Sequence, residues 1–133
     1  MAESFTLYIH KGYILNANQR LHWGPEAERK KVLRQLGSLQ HRTLPKWTGR
    51  VKIDAYVSYP ARQPRDVANL HPTMKTVLDG LVDGGKGILP DDNDSYVSGP
   101  FLHPSGEKSG RKDWYRFDVT ITELEPDVHT SGK

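Results

Sequence analysis

Six aspartates, Asp66, Asp79, Asp83, Asp91, Asp92 and Asp94, fall within Arg65–Val97 of a chain that is otherwise basic. Between the ends of that stretch the only cations are Lys75 and Lys86. Carboxylates crowded together repel one another unless a cation intervenes. Hard divalent cations such as Mg²⁺ or Mn²⁺ take carboxylate oxygens together with water and substrate phosphate. Two or three carboxylates drawn from Asp66, Asp79, Asp91, Asp92 and Asp94 would hold such an ion and leave positions open. The ion could then polarise a scissile phosphate, activate a water or steady a leaving oxygen. Lys75, one helical turn before Asp79, is the candidate for stabilising transition-state charge or orienting the water. Blander readings stand beside these. Asp91-Asp92 after Pro90 is ordinary turn chemistry. Lys75 and Asp79 could be a simple i,i+4 pair contributing about 0.2–0.5 kcal/mol. Asp83 reads better as a solvated helix end.

Other chemistries are excluded or disfavoured. The chain has no cysteine, hence no disulfide framework, thiolate zinc site or thiol nucleophile. Its histidines, His10, His22, His41, His71, His103 and His129, show no i,i+4 pair and no carboxylate at a ligand offset, so none is expected to be catalytic. Gly84-Gly85-Lys86-Gly87 follows a helical pattern instead of opening one, and reads as a stop signal, not a phosphate loop. Up to Lys52 ten basic residues accompany three acids, while the whole 133-residue chain carries a net charge of only +3. That asymmetry suits a nucleic-acid partner, although a solvated basic face would look the same. The phosphate-binding candidates are Arg29, Lys30, Lys31, Arg34, Arg62, Arg65, Arg111 and Lys112. If they contact phosphates, affinity falls with salt.

The elements that must position these groups follow from periodicity. Ser4–His10 alternates, with Phe5, Leu7 and Ile9 on one face, and predicts a half-buried strand. Pro25, with Glu26 and Glu28 in the first turn, predicts a helix from about Pro25 to Gln40. Val32, Leu33, Leu36 and Leu39 form its apolar side, and Gly37 weakens it by about 1 kcal/mol. Arg50–Tyr59 alternates clearly and predicts a second half-buried strand, in keeping with an antiparallel neighbour. Leu70, Met74, Val77, Leu78 and Leu81 make one helical stripe, with Asn69 or His71 as cap and Pro72 in the first turn. At about 100° per residue, His71, Lys75 and Asp79 lie along one edge of that stripe. Ile88–Asp94 reads as a tight acidic loop, Ser95–Phe101 as a short strand and His103–Lys112 as a hairpin-like or flexible loop. Trp114–Leu124 alternates again. The order strand, helix, strand, helix, strand, strand predicts an α+β (mixed α/β) domain, with two helices on one face of a small mixed sheet.

Taken in order, Arg65-Asp66-x-x-Asn69-Leu70, Lys75, Asp79-Gly80-Leu81 and Asp91-Asp92 resemble the RusA-like Holliday junction resolvases. That family carries Arg-Asp-x-Asp-Asn-Leu, a helix with Lys and then Asp-x-Leu, and a downstream Asp-Asp before a strand. Leu15-Asn16-x-Asn18-x-Arg20 is similar to the family's Asn-rich loop, and Val119–Glu123 to its last strand. The likeness runs from about Phe5 to Glu125. It implies a homodimeric, Mg²⁺-dependent endonuclease that resolves four-way DNA junctions by paired nicks. It assigns metal binding to Asp66 and Asp92, catalysis to Lys75, and matches Asp79 to the family's helix aspartate. The chain departs from the pattern at Ala68, where the family has its second aspartate. Lys75 also lies three residues further from Asn69 than is common. Downstream, Asp92 is the favoured match and Asp94 the second choice.

The sequence therefore leads to a single domain over residues 1–125 with a flexible, polar C-terminal tail expected at 126–133. The expected function is Mg²⁺- or Mn²⁺-dependent hydrolysis of branched DNA by a homodimer. The alternative is a junction-binding protein with weak or no nuclease activity, motivated by Ala68. Met1–Ser4 shows no signal-peptide pattern and no apolar run approaches a membrane span, so a cytoplasmic protein is expected.

Overall fold

In the computed structural model, residues 1–19, 21–62 and 66–124 are described. Six main elements follow one another: β1 (Ala2–His10), α1 (Trp23–Ser38), β2 (Val51–Tyr59), α2 (His71–Val82), β3 (Val97–Lys108) and β4 (Trp114–Glu123). The strands form one four-stranded sheet in the order β1-β4-β2-β3. β4 runs antiparallel to both β1 and β2, whereas β2 and β3 are parallel and joined through α2. The domain is thus α+β, a small mixed sheet with two helices; β2 has the antiparallel neighbour its alternation suggested in β4 and a parallel one in β3.

Period-two alternation decides which face is covered. Leu7 and Ile9 of β1, Val51, Ile53, Ala55 and Val57 of β2, and Tyr115, Phe117, Val119 and Ile121 of β4 are all buried. The predicted stripe of α2 is buried in full, Leu70, Met74, Val77, Leu78 and Leu81 included. Each buried Val, Leu, Ile, Phe or Met side chain stabilises the fold by about 1.5–3 kcal/mol relative to exposure. α1 adds Leu33 to this core and packs Leu36 against it. Among the described residues no helix is long and apolar enough to cross a membrane.

Several boundaries differ from expectation. α1 starts at Trp23, two residues before Pro25, and ends at Ser38 before a 3₁₀ turn over Leu39–Arg42. Pro25 is tolerated because the first-turn N–H groups have no intrahelical partner. Neither Asn69 nor His71 caps α2; its N-cap is Leu70, without a side-chain bond. The cap moves upstream, where Asp66 accepts from Ala68 N and starts a 3₁₀ turn over Val67–Leu70 that feeds straight into α2. The largest correction concerns β3. It runs through Lys108, so most of the predicted His103–Lys112 loop is strand. Parallel pairing to β2, with register shifts at Lys52/Asp54 and Val57/Tyr59, holds this Pro- and Gly-bearing segment extended.

Gly37 is also more than a weak point in α1. A Cβ there would lie 2.2 Å from the Val77 carbonyl oxygen, and one on Gly80 would lie 2.0 Å from that of Arg34. The two helices therefore touch backbone to backbone at these glycines. That close approach sets the width of the groove above them.

Candidate active site

The groove is a cleft of about 400 Å³ between the loop after β1 and the two helices. Its walls are Leu15–Ala17, Gln19 and Leu21 from the loop, Glu26, Lys30 and Arg34 from α1, and Pro72, Lys75, Thr76 and Asp79 from α2. The loop is held down by specific bonds. The buried Thr73 hydroxyl accepts from Leu15 N and donates to Leu15 O, both at 2.8 Å. Arg29 Nη1 donates to Ile14 O at 2.7 Å, and Ala17 N to Asn69 O at 2.8 Å.

Lys75 is the centre of the polar wall. Its Nζ donates to Asp79 Oδ1 at 3.1 Å and to Asp92 Oδ2 at 2.6 Å. The first contact is local, one helical turn apart. The second crosses from α2 to the acidic loop, and the loop's anchoring makes it possible. Ile88 and Leu89 are buried, Leu89 N donates to Leu81 O, and Trp47 N donates to Ile88 O. At the other end Arg50 Nε donates to the Asp94 carbonyl at 3.0 Å. The Asn93 side chain accepts from Ser95 N, closing a turn that leads into β3.

Electrostatics follow from this geometry. Partial burial pulls the Lys75 ammonium down, but its hydrogen bonds to Asp92 and Asp79 outweigh that, and its pKa ends above the usual 10.5. Asp92 is held below its usual 3.8, chiefly by the hydrogen bond from Lys75, against the opposing effect of burial. Lys75 is therefore a fixed cation at neutral pH and Asp92 a fixed anion. Because the folded-state pKa of Asp92 is lowered, its stabilising contribution is complete above about pH 3.8 and is lost as the pH falls through the lower folded value. Urea midpoints of the metal-free protein should accordingly fall more steeply below pH 3.8 than those of Asp92→Asn. Parallel pH curves for the two proteins would show that the pair does not stabilise the fold.

The other predicted residues are placed as follows. Asp91 is spent on its own turn, accepting from Asp92 N at 2.7 Å and from Asn93 Nδ2 at 3.1 Å. Asp66 is exposed and caps the turn before α2, accepting from Ala68 N at 3.0 Å. Asp94 is exposed and contributes its carbonyl to Arg50. Among the described residues, no three histidine or acidic side chains stand together closely enough to hold a metal ion. Of the five candidate carboxylates, Asp79 and Asp92 share a partner in Lys75, whereas those of Asp66 and Asp91 accept from neighbouring N–H groups.

No protein-family model matches the chain, and no curated protein is significantly similar to it.

The basic candidates divide between two sides. Lys30 and Arg34 line the cleft, Arg29 pins the loop beside it, and Lys31 is exposed on the same helix. Arg62 is exposed three residues after the end of β2, and Lys112 in the β3–β4 turn. Arg111 lies over the Tyr8 ring at 4.0 Å. Arg65, like Arg20, lies outside the described residues.

Two features escaped sequence reasoning. Glu26 lines the cleft and pairs with Lys30 at 3.8 Å. Its only signal was a first-turn acid, which helix-dipole chemistry already explains. Asp54 and His103 pair at 2.8 Å across β2 and β3. Nothing local marks that pair, since it depends on His103 being in a strand.

Proposed function

We propose that the chain is a Mg²⁺- or Mn²⁺-dependent, structure-specific DNA endonuclease that nicks four-way junctions as a homodimer. One observation carries the reading. A lysine ammonium sits between carboxylates from two separate elements, at the wall of a cleft lined by Lys30 and Arg34. The donor set fits a small hard cation, because Mg²⁺ commonly takes one or two carboxylates and fills its remaining positions with water and phosphate. Asp79 and Asp92 are the residues that would hold it; both carboxylates contact the Lys75 ammonium. When bound, such an ion supplies Lewis-acid polarisation of the phosphodiester and a water of lowered pKa.

The chain's own residues do the rest. Lys30 and Arg34 bind flanking phosphates and fix the backbone in the cleft. Lys75 stays protonated, so its role is to stabilise charge on the phosphorus oxygens, not to accept a proton. Asp92 orients Lys75 through the 2.6 Å bond. Asp66 belongs to the proposal through the family resemblance. A two-fold dimer places two identical sites on opposite strands, as symmetric nicking needs.

Nicking of synthetic four-way junctions tests this. Asp92→Asn should slow cutting about 100-fold or more at saturating Mn²⁺. Asp66→Asn is a cleaner probe of Asp66 than alanine, because asparagine keeps the capping bond. Full-rate cutting by the Asp92→Asn protein would remove the assigned chemistry. A second reading, junction binding without hydrolysis, is favoured by Ala68 and by the meeting of only two of the five candidate carboxylates. Tight junction binding with no uptake of Mn²⁺ would select it.

A further inference from the structure

We propose that the open face of the sheet is a second nucleic-acid surface, a stacking platform for single-stranded DNA or RNA. The helices cover one face of the sheet only. On the other, alternation that buries Val51–Val57 turns Lys52, Asp54 and Tyr56 outward. Large aromatic side chains lie open there, Tyr56 at 44% and Phe101 at 43% exposure. The register of β2 and β3 pairs Tyr56 with His103 and Asp54 with Phe101, so the rings stand on adjacent strands. The Tyr56 and His103 rings stack at 4.8 Å with an interplanar angle of 27°.

Cations accompany the rings. Lys52 Nζ lies 5.6 Å from the Phe101 centroid, and the Arg111 guanidinium lies 4.0 Å from that of Tyr8. The acids beside these rings are already engaged: Asp54 by His103 at 2.8 Å and Lys52 at 3.6 Å, and Asp118, opposite Tyr56 on β4, by Arg116 at 3.0 Å and Thr6 at 2.7 Å. At the β3–β4 end, Lys108, Arg111 and Lys112 are exposed and outnumber Glu107, whose carboxylate is paired with Arg116 at 3.1 Å. Exposed π-faces beside a cationic track are the two components that hold unpaired bases and their phosphates. Charge complementarity therefore points to a polyanion with free bases, and the splayed bases of a single strand meet that description where a closed duplex does not. The surface is independent of the cleft, which opens between the helices on the other side of the sheet. It also gives Arg111 and Lys112 a role that the cleft cannot.

Fluorescence anisotropy with labelled oligothymidylate and oligouridylate tests the platform on the full chain. Binding of either or both by the wild type is expected. Tyr56→Ala and Phe101→Ala should each weaken it about tenfold, while Tyr56→Phe keeps it, with circular dichroism confirming the fold. Unchanged affinity in a folded Tyr56→Ala/Phe101→Ala protein would overturn the proposal. So would an equal loss in Tyr56→Phe, which retains the ring. A dimer that becomes monomeric in the double variant, by sedimentation, would assign the face to a second copy of the chain and also overturn it.

Discussion

A Lys75→Met protein is expected to bind Mn²⁺ more tightly than the wild type and to nick four-way junctions far more slowly. The two effects run in opposite directions for one reason. The Lys75 ammonium stands within hydrogen-bond distance of both Asp79 and Asp92, so it occupies the place between the carboxylates that an incoming cation would share. Removing it leaves two anions facing each other, an arrangement that raises their demand for a counter-charge. Methionine keeps most of the stem's length and volume, so the wall of the cleft keeps its shape. The gain in Mn²⁺ affinity should be about tenfold and no more, because the Lys75 side chain is 44% exposed and solvent screens the pair. Nicking should fall about 100-fold, the usual cost of losing a positioned electrophilic donor. Isothermal titration with Mn²⁺ and a junction-nicking time course measure the two arms. Thermal melts give an independent check, since Mn²⁺ should raise the melting temperature of Lys75→Met by more than that of the wild type. Unchanged Mn²⁺ affinity would show that the ammonium does not compete for the site. Unchanged nicking would remove Lys75 from the chemistry.

The second large effect is on the frame of the cleft. Gly80→Ala is expected to destabilise the protein by about 2–3 kcal/mol. A Cβ at this position would lie 2.0 Å from the Arg34 carbonyl oxygen, and the obstacle is backbone, which cannot rotate away. The helices would have to separate, opening voids around Leu33 and Val77 where the core is now closed. The higher helix propensity of alanine, worth about 1 kcal/mol over glycine, is too small to compensate. Separation would also move Lys30 and Arg34 away from Lys75, so junction affinity should fall together with stability. Gly24→Ala is the control. It lies in the first turn of α1 with nothing within 4 Å of its Cβ, and should be neutral or slightly stabilising. Denaturant midpoints for the two proteins make the comparison. Equal midpoints would mean that the helices tolerate a wider spacing and that the glycine contact does not set the cleft.

Much of the frame is readable from spacing alone, and for a definite reason. Alternation in Arg50–Tyr59 and Trp114–Leu124, and the Leu70-to-Leu81 stripe, depend only on the periods of strand and helix. Those periods also place Lys75 one turn before Asp79, so that contact is local and the sequence determines it. Gly37 is different. Propensity describes it as a weak point in a helix, whereas its position opposite Val77 and Gly80 makes it a packing surface. β3 is different again. Pro104, Gly106 and the polar residues around them carry no strand pattern, and only pairing along β2 holds them extended.

The same division runs through the candidate site. Sequence by itself determined which residue types are present, that Lys75 and Asp79 share a helix edge, and that acids follow that helix in a short loop. Tertiary structure alone decided that Asp92, and not Asp66, Asp91 or Asp94, meets Lys75. It also decided that the basic residues divide between a helical cleft and an open sheet face. A helix fixes the direction of its side chains through its own repeating geometry. A loop has no such repeat, and the aim of its side chains is set by distant anchors, here the burial of Ile88 and Leu89 and the bonds from Trp47 and Arg50.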